Sequence, residues 1–210
     1  MARFDPRARR GLYAIVDPAA CLGCDPVGVA AAILRGGCAI LQLRDKTSSD
    51  RRVLELARAI APLCRGAGVP FVVDDRLDVA LACDADGVHV GQDDLPLADA
   101  RRLAPDLVIG VSTHGPSQRR AAEDGGADLV GFGPVFATRT KENPDPVVGL
   151  EALAATVRVA RVPVVAIGGI SEENVDRVIA AGAPLYAVIS AVCGASDPAA
   201  AAAALHRRGA

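Results

Sequence analysis

Gly131 to Asn143 reads GFGPVFATRTKEN, where the apolar run Leu129 to Phe132 ends in small residues and gives way to a loop carrying Thr138, Arg139, Thr140 and Lys141. Gly131 and Gly133 leave out side chains, which lets a ligand approach the backbone, and Pro134 stops the strand from continuing. Two hydroxyls and an ammonium within four residues can donate to phosphate oxygens from different directions. A solvated surface loop has the same composition, so the rest of the chain has to decide between the two readings.

Outward from this stretch, one alternation repeats to both ends of the chain. Short apolar runs at Leu12 to Val16, Ala39 to Leu43, Phe71 to Val73, Gly87 to Val90, Leu107 to Val111, Leu129 to Phe132, Val164 to Ile167 and Leu185 to Ile189 read as eight strands. Helix-like segments lie between them: Pro26 to Arg35, Asp50 to Arg65, Leu77 to Cys83, Leu97 to Leu103, Ser117 to Asp124, Leu150 to Val159, Glu172 to Ala181 and Pro198 to Arg207. Ser171 with Asn174 marks one helix start, and Gly66, Gly125 and Gly182 mark helix ends. Strands that are apolar throughout, each followed by a helix, imply a parallel sheet covered by helices. Eight such units in 210 residues predict an α/β fold, a (β/α)8 TIM barrel spanning residues 1–210 as one domain. The rival, an open doubly wound sheet, wants GxGxxG after its first strand, where this chain has LYAIVDPAACLGC.

Composition narrows the function. Hydrophobic residues make up 51% and aromatic ones only 3%, so the core has to be aliphatic. A net charge of −2 argues against nucleic acid held through a global basic field. No run reaches membrane-spanning length, and MARFDPRARRG carries no apolar leader core, so a cytoplasmic protein is expected. A homo-oligomer is compatible with all of this. Of six cysteines only Cys21 and Cys24 form a CxxC; without a second pair they do not make a structural zinc site, and all six read as small core or surface residues. Of the 23 Lys and Arg residues only Lys46 and Lys141 are lysines. In so Arg-biased a chain these two mark places where a compact, rotatable ammonium matters.

In a barrel of this type the ligand site lies at the C-terminal ends of the strands. The second strand ends in QLRDK, and alternation sends Gln42, Arg44 and Lys46 to one side, away from Leu43 and Asp45. One amide and two cations there can grip a heteroaromatic ring and an attached phosphate. The third strand ends in Asp74 and Asp75, and the fourth leads through GVHVGQDD to Asp93 and Asp94. Four carboxylates at neighbouring strand ends need a cation between them, and Mg²⁺ takes such oxygen ligands together with substrate phosphates. A structural role for Asp94 as a helix cap, and for Asp75 as partner of Arg76, is the competing reading, as is an acid/base pair. The fifth strand delivers Ser112 and His114 at or just beyond the rim. Gly168-Gly169 after the seventh strand and Ile189-Ser190 after the eighth fall in the loops that often hold phosphate in this fold. Two anionic subsites follow, and a diphosphate held by cations makes a good leaving group.

The motifs QLRDK, DDRLDVAL, GVHVGQDDLP, GVSTH, GFGPVFATRTK, AIGGI and ISAV, in this order from LYAIVD onward, resemble those of the thiamine phosphate synthase family over essentially the whole chain. The resemblance implies a transferase that joins hydroxymethylpyrimidine diphosphate to hydroxyethylthiazole phosphate, or its carboxylated form, with Mg²⁺ and release of pyrophosphate. It implies that Gln42, Leu43, Arg44, Asp45 and Lys46 bind the pyrimidine diphosphate, and that Asp75 and Asp94 hold the metal. Ser112 then lies near the pyrimidine and Lys141 on the diphosphate, while Thr138, Arg139, Thr140, Gly169, Ile189 and Ser190 meet the thiazole phosphate. Arg44, Lys46, Ser112 and Lys141 carry the catalysis in this reading. One departure stands out: position 74 is Asp, where the family usually has Asn, so a neutral donor becomes a charged acceptor. Two alternatives share the scaffold: a thiazole tautomerase, and a non-catalytic thiamine phosphate-binding protein. The stretch 138 to 146 is expected to act as a lid over the substrate.

Overall fold

The computed structural model describes residues 4–138 and 145–209. Eight strands, β1 (Gly11–Val16), β2 (Ile40–Leu43), β3 (Phe71–Asp74), β4 (Gly87–Val90), β5 (Val108–Thr113), β6 (Leu129–Phe132), β7 (Val164–Ile167) and β8 (Leu185–Val188), pair in parallel and in sequence order. The barrel closes where Gly11 to Ala14 of β1 lie beside Leu185 to Val188 of β8. Helices α1 (Pro26–Gly36), α2 (Asp50–Ala67), α3 (Leu77–Ala82), α4 (Leu97–Leu103), α5 (Pro116–Asp124), α6 (Gly149–Val159), α7 (Val175–Ala180), α8 (Ser190–Cys193) and α9 (Pro198–Gly209) cover it. Among the described residues no helix is long and apolar enough to cross a membrane.

Alternation along the strands splits the core in two. One side chain set, including Leu12, Leu41, Leu43, Val73, Val88, Ile109, Val130 and Tyr186, packs between sheet and helices. The other, Tyr13, Ile15, Ile40, Val72, Val108, Leu129, Val165, Leu185 and Ala187, fills the barrel interior. The interior set turns polar towards the C-terminal strand ends, because register places Gln42 beside Ile15, Asp74 beside His89, and Ser112 beside Gly131. The functional layer is thus the continuation of the aliphatic one.

Many boundaries shift by a residue or two from the sequence reading, and three of the shifts have a visible cause. β5 runs on to Thr113, whose hydroxyl donates to the Gly131 carbonyl at 2.8 Å. Ser112 therefore belongs to the strand and faces the barrel, short of the rim. α2 continues past Gly66 to Ala67, and the left-handed residue that ends it is Gly68 (φ 68°). α7 starts at Val175, not Glu172, because Asn174 turns back: its Oδ1 accepts from the Ser171 N–H at 3.0 Å and its Nδ2 donates to the Gly169 carbonyl at 2.9 Å. The short helix α8, directly after β8, had no counterpart in the sequence reading.

Candidate active site

The mouth of the barrel above β1 to β4 holds an ionic cluster. Arg44 leaves β2 with its backbone N–H on the Val16 carbonyl (2.9 Å), and its guanidinium pairs with the buried Asp17 carboxylate. Its Nε also lies 3.7 Å from Asp74 Oδ2. Gln42 Nε2 donates to Asp74 Oδ1 at 3.0 Å. Lys46 pairs with Asp75 and stands 3.9 Å from Asp74. Asp75 takes a left-handed backbone (φ 57°), a conformation a non-glycine residue adopts at a cost. Two cations face three carboxylates here, with Asp94 close enough to act on Asp74 as well. The negative excess shows in Asp74: burial pushes its carboxyl up to about 6, against the pull of Lys46 and Arg44 and with the help of Asp94 and Asp17.

The competing structural roles of the carboxylates fall out differently. Asp94 does not cap α4, whose N-terminus has no side-chain cap; its Oδ2 accepts from the Gly91 N–H at 2.7 Å and shapes the loop after β4. Arg76 pairs with Asp50 and Asp78, both at 2.6 Å, and not with Asp75. Two members of the QLRDK run sit away from a ligand by their side chains. Leu43 belongs to the core between sheet and helices, so only its backbone can face the site. Asp45 Oδ1 accepts from the N–H groups of Thr47 (3.1 Å) and Ser48 (3.0 Å), a turn-building role that holds its carboxyl below the usual range despite burial.

Two groups in the floor of the site, His89 and Tyr13, are absent from the sequence reading. His89 on β4 points into the barrel, its Nε2 3.0 Å from Ser112 Oγ. Burial drives its imidazole down to about 4, so it is neutral at ordinary pH. Glycines make its space: a Cβ at Gly110 would stand 2.4 Å from His89 Nδ1, and one at Gly131 would stand 3.3 Å from Cε1. Gly131 thus serves the protein's own histidine, and Gly133 serves the backbone of β7, since a Cβ there would meet the Ile167 carbonyl oxygen at 2.1 Å. These replace the expectation that both glycines clear a path for a ligand. Tyr13 is buried in the same interior, its hydroxyl without a partner among the described residues. The signal for Tyr13, Asp17 and His89 was available: each is a polar group in phase with inward positions of an apolar strand or its extension.

Across the mouth, the chain after β6 lies directly on the loop after β7. Val135 and Phe136 donate to the Ile167 and Gly168 carbonyls at 2.8 and 3.0 Å. Gly168 (φ 101°) and Gly169 (φ 64°) take conformations suited to glycine, and a Cβ on Gly169 would stand 2.4 Å from the Ala137 carbonyl oxygen. Thr138 is thereby carried to the side of Gly169. Ile189 packs at the upper end of the interior cluster, and Ser190, exposed, opens α8. Arg139, Thr140 and Lys141 lie outside the described residues, as does most of the expected lid. His114 Nδ1 is 2.6 Å from the Gly133 carbonyl and its Nε2 is 3.3 Å from Asp145, which braces the loop.

A parallel barrel with cations and carboxylates over β2 to β4, a Gly168-Gly169 loop after β7 and Ser190 opening a helix after β8 defines a class of enzymes that act on phosphorylated small molecules. The family model described as thiamine monophosphate synthase matches residues 12–192, and the chain belongs to that family, whose members are transferases. A thiamine-phosphate synthase of Roseiflexus sp. (strain RS-1) is 48% identical over 93% of this chain and 83% of its own length. One from Chlorobium phaeovibrioides is 52% identical over 87% of this chain and 88% of its own. The solved thiamine phosphate pyrophosphorylase of Pyrococcus furiosus superposes with a TM-score of 0.88 at 39% identity, covering 96% of both chains. Neither the tautomerase nor the non-catalytic reading is favoured by these relatives.

Proposed function

We propose that this protein, working in the cytoplasm, joins hydroxymethylpyrimidine diphosphate to hydroxyethylthiazole phosphate, or its carboxylated form, giving thiamine phosphate and pyrophosphate. The observation that carries the proposal is the cluster of Arg44 and Lys46 over Asp74, Asp75 and Asp94, set above a neutral polar floor of Gln42, His89, Ser112 and Tyr13. A pyrimidine offers ring nitrogens and an amino group to that floor. The unpaired Tyr13 hydroxyl favours such a ligand, since a buried polar group without a partner costs about 1–3 kcal/mol. Arg44 and Lys46 exchange carboxylate oxygens for those of the diphosphate and steady the charge it gathers on leaving. His89, neutral, holds Ser112 by a hydrogen bond without adding a positive charge beneath the ring.

The carboxylates also suit Mg²⁺: hard oxygen donors, in negative excess, beside cations that bind phosphate. Asp75 and Asp94 would hold the ion, which supplies further charge neutralisation to the departing diphosphate. Thr138, Gly169, Ile189 and Ser190, with Arg139, Thr140 and Lys141, are assigned to the thiazole phosphate and the far side of the diphosphate. The chain needs no covalent nucleophile; positioning the thiazole nitrogen against the exocyclic carbon after diphosphate departure is its contribution.

The test is pyrophosphate release from purified protein given both phosphorylated substrates, with and without Mg²⁺, beside Asp94→Ala. Release should require both substrates and the metal and fall roughly a hundredfold or more in the variant. Tight thiazole phosphate binding without release would refute the assignment.

A further inference from the structure

Cys21, Cys24 and Cys193 take part in none of the chemistry above, yet they meet at one place: the loop after β1, packed on α8. Cys21 and Cys193 are buried, at 0% and 2% exposure, and Cys24 is exposed. The Cys21 Sγ donates to the Asp17 carbonyl at 3.3 Å and the Cys193 Sγ to the Ile15 carbonyl at 3.1 Å. Those carbonyls are two residues apart on an extended segment, so they point the same way and draw both sulfurs to one side. The two thiols are also close enough to act on each other. That contact is the main reason the Cys21 thiol is held below its usual range and the Cys193 thiol is pushed well above it.

A buried pair needs a way in, and Cys24 supplies it. The Cys24 N–H donates to the Cys21 carbonyl at 2.9 Å, with Leu22 (φ 50°) and Gly23 (φ 86°) both left-handed between them. This is a tight turn of the kind whose end Cα atoms lie within about 7 Å. A disulfide spans a comparable Cα separation, about 4.4–6.8 Å. Leu22, 77% exposed, leans over Gly194 just beyond α8.

We propose that Cys24, Cys21 and Cys193 form a thiol-oxidation site, in which Cys24 reacts with a peroxide and the resting product is a Cys21–Cys193 disulfide. Cys24 gives up its thiol proton, its sulfur attacks one peroxide oxygen, the O–O bond breaks, and the departing hydroxide takes up that proton, so that sulfenic acid and one water result. The Cys21 sulfur attacks the sulfenic sulfur and expels hydroxide, which takes the Cys21 proton to become a second water. The Cys193 sulfur then attacks the Cys21 sulfur, the Cys21–Cys24 bond breaks, and Cys24 leaves as a thiolate that takes up the Cys193 proton. In sum two thiols become a disulfide and hydrogen peroxide becomes two waters. The product fastens the loop after β1 to α8, with Asp17, the partner of Arg44, at one end and Ser190 near the other. It also removes both S–H···O bonds. Slower turnover of the oxidised form rests on the function proposed above; formation of the bond does not.

The experiment treats the fully reduced protein with hydrogen peroxide, alkylates it under denaturing conditions and maps the peptides by fragmentation. The expected product links Cys21 to Cys193, lighter by two hydrogens, with Cys38, Cys64 and Cys83 fully alkylated and the link reversed by dithiothreitol. In Cys24→Ser the link should form at least roughly tenfold more slowly. Sulfinic acid at Cys24 with Cys21 and Cys193 alkylated would overturn the proposal, as would a link that forms equally fast in the variant. Pyrophosphate release by oxidised wild type should fall several-fold and recover on reduction; Cys24→Ser should keep its activity after the same treatment.

Discussion

Replacing Asp74 with Asn changes one atom and removes a charge that the fold holds at a cost. Burial among Asp94 and Asp17 raises the Asp74 carboxyl from its usual 3.8 to about 6, after the attraction of Lys46 and Arg44 is counted. That displacement costs the folded state about 3 kcal/mol where the group is ionised both folded and unfolded. The sign follows from the folded value lying above the unfolded one for an acid. The penalty is complete above about pH 6, shrinks as pH falls through that value, and is gone below 3.8. Asn keeps an oxygen to accept from Gln42 Nε2, while Arg44 and Lys46 retain Asp17 and Asp75. Asp74→Asn should therefore gain up to about 3 kcal/mol at pH 8, roughly 6–12 °C in Tm, about half as much at pH 5 and nothing near pH 3. Thermal unfolding of both proteins across this range is the assay. A gain that does not change with pH, or a loss at pH 8, would refute the account of Asp74 as a strained buried acid. Isothermal titration with the pyrimidine diphosphate adds a second check: affinity should hold or improve, and a large loss would show that Asp74 is more than a tolerated variant.

His89 should shape the acid side of the stability curve. It is a base whose folded value, about 4, lies below the usual 6.5, so its contribution is whole above pH 6.5 and up to about 3 kcal/mol is lost as pH falls through 4. The acid limb of His89→Asn, measured by urea unfolding, should be correspondingly shallower. Gly110→Ala places a methyl 2.4 Å from His89 Nδ1 and 2.7 Å from Leu129 Cδ1, and should cost about 1–3 kcal/mol; the cost should shrink when His89→Ala is combined with it. Arg44→Ala leaves the Asp17 carboxylate, 3% exposed, without its counter-charge. It should lose about 3–5 kcal/mol of stability besides its activity, and adding Asp17→Asn should restore part of the stability and none of the activity.

The fold was legible because its signal is repetitive: eight apolar runs and the helices between them each carry their own local evidence, and a boundary error at Gly66 or Glu172 leaves the count unchanged. The rim cations and carboxylates were legible for a similar reason, since charged residues at the ends of apolar strands are conspicuous. Tyr13, Asp17 and His89 were hidden by their surroundings. A single polar residue in an apolar strand looks like a tolerated exception until register sets His89 beside Asp74 and Gly110.

The sequence by itself determined the barrel, the family, and the set of groups gathered at the strand ends, because alternation and the order of motifs are properties of the chain. Only the tertiary structure decided which of these groups meet. Arg44 finds Asp17 across 27 residues, His89 finds Ser112 across 23, and Cys193 finds the Ile15 carbonyl across 178. Such pairings depend on barrel closure and strand register, which fix distances between residues remote in the chain and leave no mark on the residues near either partner. The same holds for the glycines. Gly131 looked like an opening for a ligand, and packing gave its space to the imidazole of His89.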